Sequence, residues 1–118
     1  MSSSDRMRRV LDILDNIEAA RSYAGARDLE SFSQSSLIID GCERCLQRIT
    51  EAVIKLGEEE FTTIAPNVRF VLIRGMGNML RHEYDVISAR IVYETIHHDL
   101  PILERDCRRY LSENGGSE

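Results

Sequence analysis

Apolar residues recur every three or four positions along much of the chain, the spacing that places them on one face of an α-helix. The first such segment predicts a helix over about 5–23, with Ser4 or Asp5 capping its start and Gly25 lying just past its end. Its apolar stripe consists of Met7, Val10, Leu11, Leu14 and Ile17. Alternation of the strand type is too short to be useful, so the pattern favours an all-helical fold.

The second periodic segment predicts a helix over about 35–56 that ends at Gly57. Its stripe consists of Ile38, Cys42, Cys45, Leu46, Ile49, Val53 and Leu56. The polar stretch 28–36 before it is predicted to be a connection in which Phe32 anchors the chain to the core. The three glutamates 58–60 after it are predicted to form an exposed turn.

A third helix is predicted over about 66–81, because Pro66 is acceptable in a first helical turn. Its inward side chains are predicted to be Val68, Leu72, Met76 and Met79. A fourth helix is predicted to start near Ser88 and to be kinked or broken by Pro101. Its stripe consists of Ile91, Val92, Thr95, Ile96, Leu103, Cys107, Tyr110 and Leu111. Short connections between such helices imply an up-and-down bundle of four to five antiparallel helices.

Composition narrows the class of protein. A chain of 118 residues fits one domain, here 1–118, and a net charge of −5 argues against a general nucleic-acid coat. The N-terminus lacks the apolar core of a secretory signal, and three cysteines favour a reducing compartment, so the protein is predicted to be cytoplasmic, without a membrane span or disulfides. Cys42 and Cys45 form a C-x-x-C pattern, but on an apolar helical stripe they are interpreted as core residues. His97 and His98 point about 100° apart on a helix and are interpreted as surface or interface residues rather than metal ligands.

The segment 61–82 contains no Asp or Glu, although the protein is acidic. Arg74, Asn78 and His82 are spaced four residues apart, so they share one helical face, and Arg81 flanks that face. Such a face is often only a solvated surface. The alternative is a binding or catalytic site, because histidine exchanges protons near neutral pH and arginine holds phosphate through paired donors.

Tyr84 lies two residues beyond His82 and adds a hydroxyl that donates a hydrogen bond or accepts a transferred group. Together these side chains fit cleavage of an RNA phosphodiester with the ribose 2′-OH as the internal nucleophile, for which no metal or other cofactor is needed. Asn78 is expected either to orient His82 or bind the substrate, or to make only a polar contact one turn away.

The run from Gly75 to Val86 resembles the signature of HepT-like proteins, whose pattern is Arg-Asn-x-Leu-x-His-x-Tyr. Asn78, Leu80, His82 and Tyr84 match it. The Asp-Leu-Pro at 99–101, and Glu43-Arg44 with Ile49-Thr-Glu-Ala52, resemble further landmarks of the same family. These proteins belong to the HEPN group of helical domains found in prokaryotic toxin–antitoxin pairs.

The resemblance implies a homodimer and a metal-independent endoribonuclease toxin that acts on RNA. His82 would handle protons, Arg74 and Arg81 would hold and stabilise phosphate, and Asn78 and Tyr84 would support them. It also implies a minimal nucleotidyltransferase antitoxin as partner. In such pairs the antitoxin can adenylylate the signature tyrosine, here Tyr84, and thereby block the site.

One position departs from the signature, because Gly77 stands where the family has an arginine five residues before the histidine. The sequence leaves two interpretations open. Either Arg74 or Arg81 supplies the missing cation, or cleavage is lost and the domain only binds RNA or a partner protein. A gain of ribonuclease activity in Gly77→Arg would support a decayed site, whereas no change would leave both interpretations open.

Overall fold

A computed structural model describes the backbone of residues 1–82 and 86–115, together with their side chains except those of 81, 82 and 86–88. Within these residues all regular structure is helical, which confirms the predicted all-helical bundle. The helices are α1 (Ser3–Ala24), α2 (Leu29–Ser33), α3 (Ser36–Leu56), α4 (Glu58–Ile64), α5 (Phe70–His82), α6 (Val86–Glu94) and α7 (Leu100–Glu113), and a π-helical segment, Thr95–Asp99, joins α6 to α7. No helix in the described part of the chain is long and apolar enough to cross a membrane.

The centre of the bundle is the pair α1 and α3, whose bounds agree closely with the prediction. The cap of α1 lies slightly earlier than predicted, because the Ser2 side chain accepts a hydrogen bond from the Asp5 backbone N–H at 3.1 Å. Gly25 ends α1 with a φ of 60°, a conformation that favours glycine. Ser35 caps α3. The predicted stripe of α3 is buried apart from the half-buried Ile38, whereas Leu11 of α1 is exposed.

Two short helices occupy segments that were predicted to be irregular. Asp28 caps α2 by accepting a hydrogen bond from the Ser31 backbone N–H at 2.9 Å, and Phe32 is fully buried as predicted. The three glutamates of α4 form a first helical turn rather than a loop, where their charge suits the positive end of the helix dipole. Glu60 also pairs with Arg6 of α1 at 3.2 Å.

The predicted start of the third helix was wrong. Pro66 lies in the connector 65–69 between α4 and α5, and α5 begins only at Phe70. The Asp106 carboxylate on α7 accepts hydrogen bonds from the backbone N–H and the side-chain amide of Asn67, both at 3.0 Å. These side-chain contacts come from a distant part of the chain, so local periodicity gave no sign of them.

Pro101 does not break the last helical segment as the sequence suggested; the chain instead forms a wider π-helical turn just before it. The Leu100 N–H bonds the Thr95 carbonyl, five residues back, which is the hydrogen bond of a π-helix. Pro101 then occupies the first turn of α7, where its lack of an N–H costs little. The chain therefore stays helical from Val86 to Glu113 and packs its second half against α1.

Candidate functional site

Helix α5 carries the predicted site and has one face in the core. Among the residues of this helix up to Leu80, the buried ones are Ile73, Met76, Gly77 and Leu80. Arg74, Gly75 and Asn78 lie on the opposite, solvent-exposed side. The structure therefore brings Arg74 and Asn78 to one exposed face of a helix that has no acidic residue in its sequence.

Arg74 extends toward the start of α5. Its guanidinium carbon lies 5.7 Å from the centre of the Phe70 ring, a cation–π contact one turn earlier in the helix. The backbone of His82 ends the same helix about 12 Å further along its axis, given 1.5 Å per residue. Within one chain, Arg74 is thus directed away from the end of the helix that carries His82.

Three of the predicted site side chains lie outside the described part of the structure. Arg81 and His82 are described only as backbone at the end of α5, and Tyr84 lies wholly outside the described residues. Their roles therefore stay predictions. The geometry fixes only the helix and the face on which Arg74 and Asn78 lie.

The inward face predicted for this helix was partly wrong. Leu72 is 59 % exposed and Met79 is 40 % exposed, whereas Ile73, Gly77 and Leu80 occupy the core positions. Leu72 and Met79 line an apolar groove of about 530 Å³ between α5 and the segment from Thr95 to Leu103. We call this the α5–α7 groove. Val71 and Ile102, also exposed, lie among its lining residues, so the site helix keeps an uncovered apolar flank.

Gly77, the position that departs from the family signature, is a packing residue. A Cβ atom added there would lie 2.4 Å from Cγ2 and 3.3 Å from Cβ of Thr50 on α3. Thr50 is itself buried and donates a hydrogen bond from its hydroxyl to the Leu46 carbonyl at 2.9 Å. The backbones of α3 and α5 therefore meet closely at this point, and any side chain at position 77 requires Thr50 or one of the two helices to shift.

Gly75, two residues earlier, lies in open space rather than in a close contact. A Cβ atom added at Gly75 would have no atom within 4 Å. An exposed glycine inside a helix lowers helix stability by roughly 1 kcal/mol relative to alanine. Nothing in the described chain explains this glycine, whereas Thr50 explains Gly77.

The cysteine and histidine patterns behave as interpreted from the sequence. Cys42, Cys45 and Cys107 are buried, and burial raises the pKa of Cys42 and Cys107 to about 12, so these thiols are poor ligands and nucleophiles. His98 pairs with Glu94 at 3.0 Å on the surface, and the His97 ring contacts the Tyr93 ring at a tilted angle of 49°. Within the described residues, no group of three or more His, Cys, Asp or Glu side chains has a metal-binding arrangement.

Three features of this region were missed by sequence reasoning: the Thr50 contact, the Asp106 contact and the α5–α7 groove. All three join segments that are distant in sequence. Only the Gly-x-Gly at 75–77 carried a local signal, since two glycines inside a helix indicate close approach of another group.

The fold and the site define a class of protein: a small all-helical domain that presents an Arg/Asn face on an acid-free helix. A family model described as "Ribonuclease HepT-like" matches residues 13–110. Because this match covers most of the chain, the protein belongs to the HepT-like ribonuclease family. Family membership supports a ribonuclease-type HEPN function.

Similar proteins are named as ribonucleases. The chain is 24 % identical over 107 residues to "Putative RNase MJ1216" of Methanocaldococcus jannaschii, which covers 91 % of this chain and 88 % of the relative. It is 33 % identical over 84 residues to "Putative RNase TTE0752" of Caldanaerobacter subterraneus subsp. tengcongensis, which covers 71 % of this chain and 74 % of the relative. No solved structure matches the chain significantly.

Proposed function

We propose that the protein is a metal-independent endoribonuclease and the toxin of a HEPN/nucleotidyltransferase toxin–antitoxin pair. The observation that carries the proposal is the exposed Arg74 and Asn78 face on α5, in a chain whose family model is named for a ribonuclease. The absence of acidic residues from α5 favours binding of a polyanion, because no carboxylate on that helix repels phosphate.

In this proposal His82 is the general acid and base at the ribose 2′-OH and the leaving oxygen. Arg74 and Arg81 bind the scissile phosphate and stabilise the charge that develops on it. Asn78 and Tyr84 support them by binding or orienting groups at the site. Because no metal is invoked, EDTA should leave cleavage unchanged.

The direct experiment compares cleavage of labelled tRNA and mRNA in EDTA by the native chain and by His82→Ala. Loss of a general acid–base group should lower the cleavage rate by about 10²–10⁴-fold. His98→Ala is the matched control, because it removes an exposed histidine of the π-helical segment, which pairs with Glu94 at the end of α6. Full cleavage by His82→Ala, or no cleavage by the native chain, contradicts the proposal.

The arginine roles are tested separately. Arg74→Gln and Arg81→Gln should each lower kcat by roughly 10–10³-fold, as expected when a donor to a developing anion is removed. Arg8→Gln is the control, since Arg8 is 67 % exposed on α1. An arginine whose variant keeps the native kcat is not the cation that replaces the signature arginine.

We also propose that the chain acts as a homodimer through the exposed flank of α5. The uncovered apolar side chains Leu72 and Met79 and the open Gly75 support a second copy packing there, close to the Arg74 face. Since Arg74 is directed away from His82 in one chain, two copies of α5 offer a way to complete a site between them. Sedimentation should show a dimer that Leu72→Asp dissociates and that Leu11→Asp, on α1, leaves intact; a monomeric native chain overturns this arrangement.

The proposed regulator is a minimal nucleotidyltransferase that transfers AMP from ATP to the Tyr84 hydroxyl, with pyrophosphate leaving. Incubation of both proteins with ATP should raise the intact mass by one or more AMP groups and stop cleavage. Tyr84→Phe should abolish the mass increase, whereas Tyr23→Phe, which removes a half-exposed tyrosine on α1, should not. A mass increase that survives in Tyr84→Phe assigns the modification elsewhere.

A second candidate function is a binding module that has lost cleavage, and the specific observation in its favour is Gly77. The signature arginine is absent, and the space it would need is filled by Thr50. Gly77→Arg is therefore not the restoring substitution expected from the sequence, because it disrupts the α3–α5 contact. Tight RNA binding without cleavage by the native chain, abolished in Arg74→Gln, would favour this function over the first.

A further inference from the structure

Asp106 on α7 is the one charged side chain that is buried among the described residues, with 1 % of its surface exposed. Each of its carboxylate oxygens is engaged. Oδ2 accepts from the Asn67 backbone N–H at 3.0 Å, and Oδ1 accepts from Asn67 Nδ2 at 3.0 Å and from the Arg109 guanidinium at 3.1 Å. A buried carboxylate is costly unless it is paired and hydrogen-bonded, so this position has a specific use.

The buried carboxylate acts on the connector rather than on the packing of α7. Leu103 and Cys107 already bury α7 in the core without Asp106. The two hydrogen bonds from Asn67 instead hold an otherwise exposed residue of the connector 65–69, three residues before α5 begins. The Asp106 carboxylate therefore holds the connector three residues before the helix that carries Arg74 and Asn78.

The register of α5 depends on this point. A shift of one residue at the start of a helix rotates every later side chain by about 100°. Such a rotation would turn Arg74 and Asn78 off their exposed face and would move Gly77 away from Thr50. The Asn67–Asp106 contact at one end and the Gly77–Thr50 contact further along thus hold the helix at two places.

We propose that Asp106, through its two hydrogen bonds with Asn67, is a positioning residue that sets the register of α5 and hence the geometry of the candidate site. The inference rests on the proposed ribonuclease function for its effect on activity, but its structural part is independent of that function. Asp106 is too deeply buried to touch RNA, so its effect on catalysis passes through α5.

The test uses Asp106→Asn in the full chain. The new amide nitrogen takes the place of Oδ1, so the hydrogen bonds that Oδ1 accepts from Asn67 Nδ2 and from Arg109 are lost, and the charge facing Arg109 disappears. Misplacement of a site by about 1 Å costs on the order of 10²-fold in rate, so kcat for RNA cleavage should fall by about that factor, while KM changes much less. Amide hydrogen exchange should become faster in the first turns of α5 and stay unchanged in α1 and α3.

The double variant Asn67→Asp/Asp106→Asn supplies the rescue. It exchanges the carboxylate and the amide, so the new amide at 106 donates to the new carboxylate at 67, and its oxygen still accepts from the backbone N–H. This variant should restore kcat, and it should return the amide hydrogen exchange of α5 to its slow native rate. Asp12→Asn is the matched control for loss of a carboxylate, because the Asp12 side chain lies half exposed on α1, and the substitution should leave both measurements at their native values.

The outcomes separate this inference from the proposed function. If the native chain cleaves no RNA, the proposed function fails, and the exchange measurement alone decides the role of Asp106. Unchanged exchange in α5 on Asp106→Asn overturns the inference, and so does a double variant that folds but restores neither measurement. If Asp106→Asn does not fold, Asn67→Ala removes only the Nδ2 hydrogen bond, and native exchange and kcat in that variant also overturn it.

Discussion

Helices α3 and α5 have similar amphipathic patterns but different surroundings. Helix α3 packs between α1 and α5, so its apolar stripe is buried almost completely. Helix α5 has α3 along one side only, and its second apolar flank, with Leu72 and Met79, is exposed beside the α5–α7 groove. An amphipathic pattern therefore predicts a helix reliably, but it does not say whether each apolar residue is covered by the same chain or by another molecule.

The largest predicted effect is the difference in stability between substituting a buried apolar residue and substituting an exposed one. Ile49→Ala, in the core of α3, should lower the free energy of unfolding by about 2–5 kcal/mol. Leu72→Ala should cost less than about 0.5 kcal/mol in the monomer, because an exposed side chain leaves no cavity. Urea denaturation measures both.

The same pair of variants also tests the dimer. Association through the α5 flank makes stability depend on protein concentration, and Leu72→Ala should weaken that dependence while Ile49→Ala should not remove it. A concentration-independent midpoint for the native chain would mean that the α5 flank is exposed for another reason.

The sequence was sufficient for the elements that local chemistry determines. A Ser or Asp cap near the start of α1 and a glycine after each helix, together with three-four periodicity, predicted the bounds of α1 and α3 to within a few residues. The start of α5 and the packing of Gly77 were not predictable in this way. Both depend on partners more than twenty residues away, Asp106 for the connector and Thr50 for the helix face.

The next effect concerns the contact between the two compared helices. Gly77→Ala should lower the free energy of unfolding by about 1–3 kcal/mol, the usual cost of overpacking, despite the better helix propensity of alanine. Thr50→Ser removes the Cγ2 that lies 2.4 Å from the added Cβ and retains the hydroxyl that bonds Leu46. The cost of Gly77→Ala should therefore be smaller in the Thr50→Ser background.

A double-mutant cycle measured by urea denaturation gives the coupling between these positions. Residues in direct contact usually couple by about 0.5–3 kcal/mol. Additive effects would show that α3 and α5 separate easily, in which case an arginine at position 77 would be tolerated and its absence would need another explanation.

Gly75, the other glycine of α5, should gain stability on substitution by alanine, whereas Gly77 should lose it. Gly75→Ala adds a methyl group to open space, so it should raise the stability of the monomer by up to about 1 kcal/mol. If a second copy packs closely against this position, the same substitution should weaken dimerisation. Thermal denaturation and sedimentation at matched concentrations measure the two effects, and a variant that is stabilised without any loss of dimer places the interface away from Gly75.

Of the predicted site residues, the structure describes the side chains of Arg74 and Asn78. The spacing of Arg74 and Asn78 placed them correctly on one exposed face. It did not indicate that Arg74 folds back over Phe70, because that direction depends on the rotamer and on a ring in the first turn of the helix. The cation nearest to His82 therefore has to be identified by the arginine substitutions rather than by spacing.

The smallest predicted effect is a change in the pH dependence of stability at the contact between α1 and α7. Hydrogen bonds from Arg21 and Arg108 hold the pKa of Glu104 below its ordinary value of 4.5. The stability that Glu104 contributes is thus complete above that value and is lost as the pH falls through the lower pKa of the folded state. Because the arginines are half exposed or more, the contribution should be less than about 1 kcal/mol. Urea denaturation between pH 7 and pH 3 should show a shallower loss of stability for Glu104→Gln than for the native chain, and identical pH profiles would mean that these ion pairs add no stability to the α1–α7 contact.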